Sequence, residues 1–180
     1  MGLETPEGES MKLAEVVADG FGRVREVVHA AVEGLDADQL IASPAPGANT
    51  IAWLVWHLAR VQDDHVAGLM GTEQLWTAQD WVGRFGLPFP ASDIGYGHRP
   101  EDVEAVRVGS ADLLTGYYDA VHEATAAWVA GLGEADLDRI VDEAWDPPVS
   151  LGVRLVSVLS DDLQHAGQAA YVRGLVLRDT

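Results

Sequence analysis

The chain contains no cysteine. Disulfides, thiolate zinc sites and a cysteine nucleophile are therefore excluded, and any metal has to be held by nitrogen and oxygen ligands. Basic residues are scarce too: 11 Lys and Arg stand against 29 Asp and Glu, for a formal charge of −18. Most of the basic residues are arginines scattered singly, so the basic footprint that nucleic acid requires is missing, and an anionic membrane surface is disfavoured for the same reason. The excess of acid bears on solubility and steering, not on fold. No apolar run approaches the roughly 20 residues of a membrane span, and the opening MGLETPEGES is acidic and polar. These absences lead to the expectation of a soluble, cytoplasmic protein with no nucleic-acid or membrane partner. At 180 residues it is read as one domain, able to bury roughly two thirds of its unfolded surface.

Strand alternation is also nearly absent, and helical periodicity takes its place. A first helix runs from about Ser10, a good N-cap, to about Glu33, with Leu13, Val16, Val17, Val24, Val27, Val28 and Ala31 as its buried stripe, and ends at Gly34. The second, capped by Asn49 or Thr50, is NTIAWLVWHLARVQDDHVAGL, which packs through Ile51, Leu54, Val55, Leu58 and Val61. The third is expected from about Pro100, where proline and acids favour a helix start, to about Ala130. The fourth begins near Ser150 and carries Leu151, Leu155, Val158, Leu159 and Ala166 on its core face. Four stripes of this length are most simply buried as an all-α four-helix bundle.

Between the second and third helices lies Gly71–Arg99, too long for a bundle turn and too aromatic for a disordered linker, hence an ordered loop with a functional bearing. A weak internal echo, VEGLDADQL before the second helix and VAGLGEADL before the fourth, carries an offset of about 100 residues that sets His65 against His165. The two helices read as structural counterparts.

The chemistry concentrates in SDDLQHAGQAAYVRGL, where Asp161 and His165 lie one turn apart on one face and can converge on a single ion. The same spacing also occurs as an exposed ion pair worth a few tenths of a kcal/mol. A third ligand has to come from elsewhere, and His57, a polar ring on the apolar side of a Trp- and Leu-rich helix, is the first choice, with His65 as its rival. Imidazole and carboxylate suit Zn²⁺, Ni²⁺, Fe²⁺ or Mn²⁺, and three protein ligands leave positions open for water or substrate. Gln168, a turn beyond His165, would orient a ligand. In the GYGH stretch Gly95 and Gly97 allow tight turns, while Tyr96 or His98 would touch substrate or give up a proton. His29 and His122 read as ordinary helix-surface residues, and Trp76 and Trp81 as better cavity-lining candidates than Trp53 or Trp128.

WLVWHLARVQDDH, RFGLPF with DIGYGHRPEDV, LLTGYYDAV and DDLQHAGQAAYVRGL together resemble the DinB/YfiT-like four-helix-bundle superfamily, particularly its actinobacterial branch of metalloenzymes of unknown function. The resemblance spans nearly the whole chain. It implies an up-down-down-up bundle with a divalent transition metal near one end, held by a second-helix histidine and two residues a turn apart on the last helix, positions that match His57, Asp161 and His165. The commonest family pattern has three histidines, whereas the related mycothiol-dependent maleylpyruvate isomerase has a glutamate where Asp161 stands. The implied activity is metal-dependent, of the thiol-dependent transferase or isomerase kind, on a small electrophilic substrate. With no cysteine in the chain, the thiol would be a low-molecular-weight cosubstrate. The alternative is a noncatalytic metal-binding, small-molecule-binding or interaction bundle, and a homodimer stays open.

Overall fold

The computed structural model describes residues 12–178. In chain order its elements are α1 (Leu13–Val32), α2 (Ala37–Leu40), α3 (Ile51–Met70), α4 (Leu75–Ala78), α5 (Trp81–Phe85), α6 (Pro100–Ala105), α7 (Ala111–Val129), a 3₁₀ turn (Glu134–Asp138), β1 (Ile140–Asp142), β2 (Val149–Ser150) and α8 (Leu151–Val176). The four long helices form a ring in which α1 contacts α8 and α7, and α3 contacts the same two. The fold is all-α apart from the small antiparallel hairpin β1–β2, which pairs Ile140 with Ser150 and Asp142 with Val149. No helix among the described residues is long and apolar enough to cross a membrane.

The helix starts follow local chemistry. Thr50 accepts a hydrogen bond from the Trp53 N–H at 3.1 Å and begins α3; Ser150 accepts one from the Val153 N–H at 3.4 Å and begins α8. Each satisfies one of the free N–H groups of a first turn. The two caps stand 100 positions apart, as the internal echo implies. The cap expected at Ser10 lies outside the described residues, and α1 starts at Leu13.

Two expectations are corrected. In the first turns of α1, Leu13 and Val16 are exposed, and the buried side runs through the expected Val17 together with Ala14 and Ala18 to Phe21, the largest side chain there, which is fully buried and sets the rotation of the helix. The third helix is two helices. After α6 the chain leaves helical geometry at Val106 (φ −78°, ψ 90°) and resumes at the extended cap Ser110. Val106 and Val108 are both buried, and the i, i+2 spacing that puts two side chains on one side belongs to extended chain, not to a helix.

From Ile51 to Asp63 every residue of α3 is buried, over its whole circumference. The bundle covers one side and the loop of residues 71–99 covers the other, with Trp76 and Phe85 packed around Tyr117. A buried polar network attaches this loop. Arg60 donates to Tyr117 Oη (3.2 Å), Gln74 Oε1 (2.9 Å) and the Asp93 carbonyl (3.2 Å). Asp63 accepts from the N–H groups of Leu75 (2.9 Å) and Trp76 (2.8 Å) and from Tyr117 (2.8 Å). Buried charges of this kind are tolerable because each is paired and hydrogen-bonded.

Candidate metal centre

Two contacts fix how α3 and α8 meet. His57 faces Asp161 and His165, while His65 faces Arg154. Going up α3 therefore goes down α8, and the helices are antiparallel. Thus His65 and His165, equivalent by the offset of 100, end at different heights, and His57, not His65, meets Asp161 and His165 on the last helix.

One ligand atom each from His57, Asp161 and His165 lies within 4.8 Å of the other two, and the two imidazole rings meet edge-on with centroids 4.8 Å apart. His57 Nδ1–H donates to the Ile94 carbonyl; a carbonyl can only accept, so the neutral ring keeps its lone pair on Nε2. His165 Nδ1–H donates to Gln168 Oε1 at 3.0 Å, which leaves its Nε2 toward Asp161 Oδ1 at 3.6 Å. Asp161 Oδ2 is buried without a hydrogen-bond partner. Two imidazole lone pairs and one carboxylate, with an orphaned oxygen among them, form a donor set that fits a divalent transition ion.

The electrostatics differ between the two rings. Burial holds the His57 pKa below the ordinary imidazole value, and the neighbouring His165 and His98 add to that, against the Ile94 carbonyl and Asp161. Burial opposes charge on His165 as well, yet Asp161 and Gln168 outweigh it and raise its pKa. For Asp161 burial pushes the pKa up, but His165, His57 and His65 leave it below the usual carboxylate range. In the metal-free protein Asp161 and His165 thus favour each other's charged forms, whereas burial disfavours charge on His57.

A second layer holds the first. Trp53, one turn before His57, stacks on its ring (centroids 4.5 Å, 17° between planes) and presents an edge to His165 at 6.0 Å. The Trp53 indole N–H donates to His98 Nδ1 at 3.0 Å, and His98 Nε2–H donates to Asp93 at 3.1 Å. Both His98 nitrogens are thus engaged, its side chain is only 7% exposed, and its position is behind the wall of the site. Tyr96 is 91% exposed at the mouth. Gly95 lies directly on His57: a Cβ there would stand 2.8 Å from its Nδ1.

Trp53 therefore builds the site wall, whereas Trp76 and Trp81 pack around Tyr117. The i−4 spacing to His57 was the available signal for Trp53. The Ile94 carbonyl had none, since any residue supplies a carbonyl. His29 is bonded to Asp119 (2.8 Å), and His122 is half-buried beside Tyr118. His29, with its side chain 40% exposed, fits the helix-surface reading, whereas His122, whose Nδ1 is buried, is more enclosed than that reading implies.

His57 and Asp161 form one end of a groove of about 440 Å³, walled by Val61, Ile94, Val153, Trp145 and Tyr96. A separate cavity of about 400 Å³ between the start of α1 and the end of α7 is mostly apolar and holds no such cluster.

Comparison with known proteins bears on the fold and the family. No curated protein matches. A crystal structure described as a conserved protein of a locus from Enterococcus faecalis superposes with a TM-score of 0.87 at 32% identity, covering 93% of this chain and 99% of that one. The sequence profile of the DinB superfamily matches residues 21–169, from the middle of α1 to the last turns of α8, and the chain belongs to the DinB superfamily.

Proposed function

We propose that the protein is a divalent-metal-dependent enzyme acting on a small electrophilic substrate, with His57, Asp161 and His165 as the metal ligands. The observation that supports this best is the joint orientation of the two imidazoles: each Nδ1 is tied down by a partner, so both Nε2 atoms face the Asp161 carboxylate at the end of an open groove. The ligand set carries one negative charge, so a divalent ion held there keeps a net positive charge that favours the ionised form of a thiol or a water molecule.

The chain's own residues supply position. The Ile94 carbonyl and Trp53 hold the His57 ring, Gln168 holds that of His165, and Val61, Val153 and Trp145 give the groove an apolar side. A thiol nucleophile has to come from a low-molecular-weight cosubstrate, because the chain has no cysteine. A thiol-dependent transferase or isomerase is the reading that follows, with Tyr96 at the mouth as the group nearest an incoming substrate. His98 acts through Trp53 as a positioning residue.

Metal analysis tests the proposal. Protein purified without chelator is expected to carry about one transition ion per chain and to lose it in His165→Ala. Wild-type protein that is folded yet takes up neither Zn²⁺ nor Ni²⁺ refutes the proposal. Adduct screening of metal-loaded protein with low-molecular-weight thiols then identifies the cosubstrate.

A further inference from the structure

The groove lined by His57 and Asp161 is also lined, farther along, by His65 and Arg154. His65 and Arg154 wall both this groove and a second, more polar one of about 690 Å³ beyond it, which is bordered by Asp64, Gln74, Arg139 and Asp142. The pair is the waist between the two compartments. Arg154 precedes Asp161 by seven residues on α8 and His65 follows His57 by eight on α3, so at 1.5 Å per residue the waist stands about 10–12 Å from the metal-ligand cluster. Between them the walls are mostly apolar, with Val61, Val153 and Val158 beside Ser157.

The hydrogen bonding at the waist is directional. Arg154 Nη2 donates to Asp142 Oδ2 at 2.6 Å, which anchors the guanidinium to the β1–β2 hairpin. Arg154 Nη1 lies 3.3 Å from His65 Nδ1. Arginine has donors only, so His65 Nδ1 accepts and the ring proton sits on Nε2. Burial, then Arg154, holds the His65 pKa below the ordinary value, in favour of that neutral form. Its Nε2–H is thereby left to donate, from a residue that lines both grooves.

We infer that His65 and Arg154 form a second binding subsite, which takes an uncharged oxygen acceptor, an amide carbonyl or a hydroxyl, at the far end of an elongated ligand whose near end sits at His57, Asp161 and His165. The near end rests on the metal proposal; the far end rests on the waist itself. An uncharged acceptor is favoured over a carboxylate because the cation beside His65, Arg154, is already paired with Asp142, and Asp64 adjoins His65 in the same groove. Screening over roughly 8 Å in physiological salt leaves these near acids, not the remote surface, to decide the matter.

The test uses cobalt-loaded full-length protein and three thiols of equal chain length: mercapto-octanamide, mercapto-octanoate and octanethiol. Binding is followed by the thiolate-to-cobalt absorption band. Mercapto-octanamide is expected to bind more tightly than mercapto-octanoate and to lose about fivefold to tenfold in His65→Phe, the loss of one hydrogen bond, while octanethiol changes by less than about twofold. Should His65→Phe fail to fold, as judged by thermal melting, Arg154→Gln carries the same comparison, because it frees the His65 tautomer. Equal losses for the amide and octanethiol overturn the subsite, and tighter binding of the carboxylate overturns the uncharged acceptor. Cobalt uptake is read first, from its visible absorption without thiol; failure there overturns the metal proposal, and the two-ended ligand with it.

Discussion

Gly95→Ala, set beside Gly97→Ala, isolates the contact on which the orientation of His57 depends. Both glycines have left-handed backbone, with φ of 88° and 77°, and placing a side chain there costs about 1–2 kcal/mol. They differ in what a Cβ would meet. At Gly97 there is nothing within 4 Å, whereas at Gly95 the new atom would lie 2.8 Å from His57 Nδ1 and 3.0 Å from the Trp56 ring. Both rings belong to α3 and are buried, so neither gives way freely, and forcing an extra methyl into a packed interior costs typically about 1–3 kcal/mol. Gly97→Ala is thus expected to lose about 1–2 kcal/mol, and Gly95→Ala about 2–5 kcal/mol. The metal readout should separate them further. Moving His57 off the Ile94 carbonyl disturbs the partner that aims its Nε2, a class of change that costs about 10–100-fold in metal affinity, while Gly97→Ala leaves affinity within about threefold of wild type by the same reasoning. Urea denaturation of the metal-free proteins and competitive zinc titration supply both numbers. Equal stability losses in the two variants, or wild-type zinc affinity in Gly95→Ala, would refute the argument that this close approach fixes the ligand.

Three further expectations follow from the same geometry. In metal-free protein, NMR titration should place the His165 midpoint above the ordinary imidazole value and that of His57 below it, and Asp161→Asn should bring the His165 midpoint down; an unmoved midpoint removes Asp161 as its partner. Asp162 is fully buried with neither oxygen hydrogen-bonded, and burial, aided by Asp161, raises its pKa far above the usual carboxylate range. The folded state then holds a proton that the unfolded chain releases above about pH 4, so this group lowers stability as pH rises from there, by at most about 1.4 kcal/mol per pH unit. Asp162→Asn should therefore gain on wild type in denaturation at pH 7 and lose that advantage toward pH 4; a pH-independent difference contradicts the protonated assignment. Asp63→Ala should cost about 3–5 kcal/mol by stranding buried Arg60 and the N–H groups that open α4, with metal retention in the folded fraction unchanged, and a loss below about 1 kcal/mol in urea denaturation would show that the network is not what attaches the loop.

Much of the framework is legible in the sequence because it rests on interactions within a turn or two. The Thr50 and Ser150 caps, the apolar stripes of α3 and α8 and the one-turn spacing of Asp161 and His165 are all local. The break between α6 and α7 is local as well, and Gly109 and Ser110 mark it, but the favourable proline start at Pro100 points to one long helix. What the stripe could not show is how far around α3 the burial extends. That depends on a loop whose attachment, through Arg60 and Asp63, is built from residues that sequence patterns place on a solvated face.

The sequence by itself determined which residues had the chemistry for a metal site: an acid and a histidine a turn apart, histidines on a partner helix and no cysteine to compete. Only the tertiary structure decided which histidine meets them. Antiparallel packing of α3 against α8 is a relation between distant segments, and it brings His57 to Asp161 and His165 while carrying His65 to Arg154. It likewise decided the roles of groups with no sequence signature. The Ile94 carbonyl aims His57, Trp53 walls the site, and His98, with both nitrogens committed, supports that wall instead of facing the groove. Helical periodicity encodes the direction of a side chain about its own axis; what stands opposite that direction is set by the register between helices.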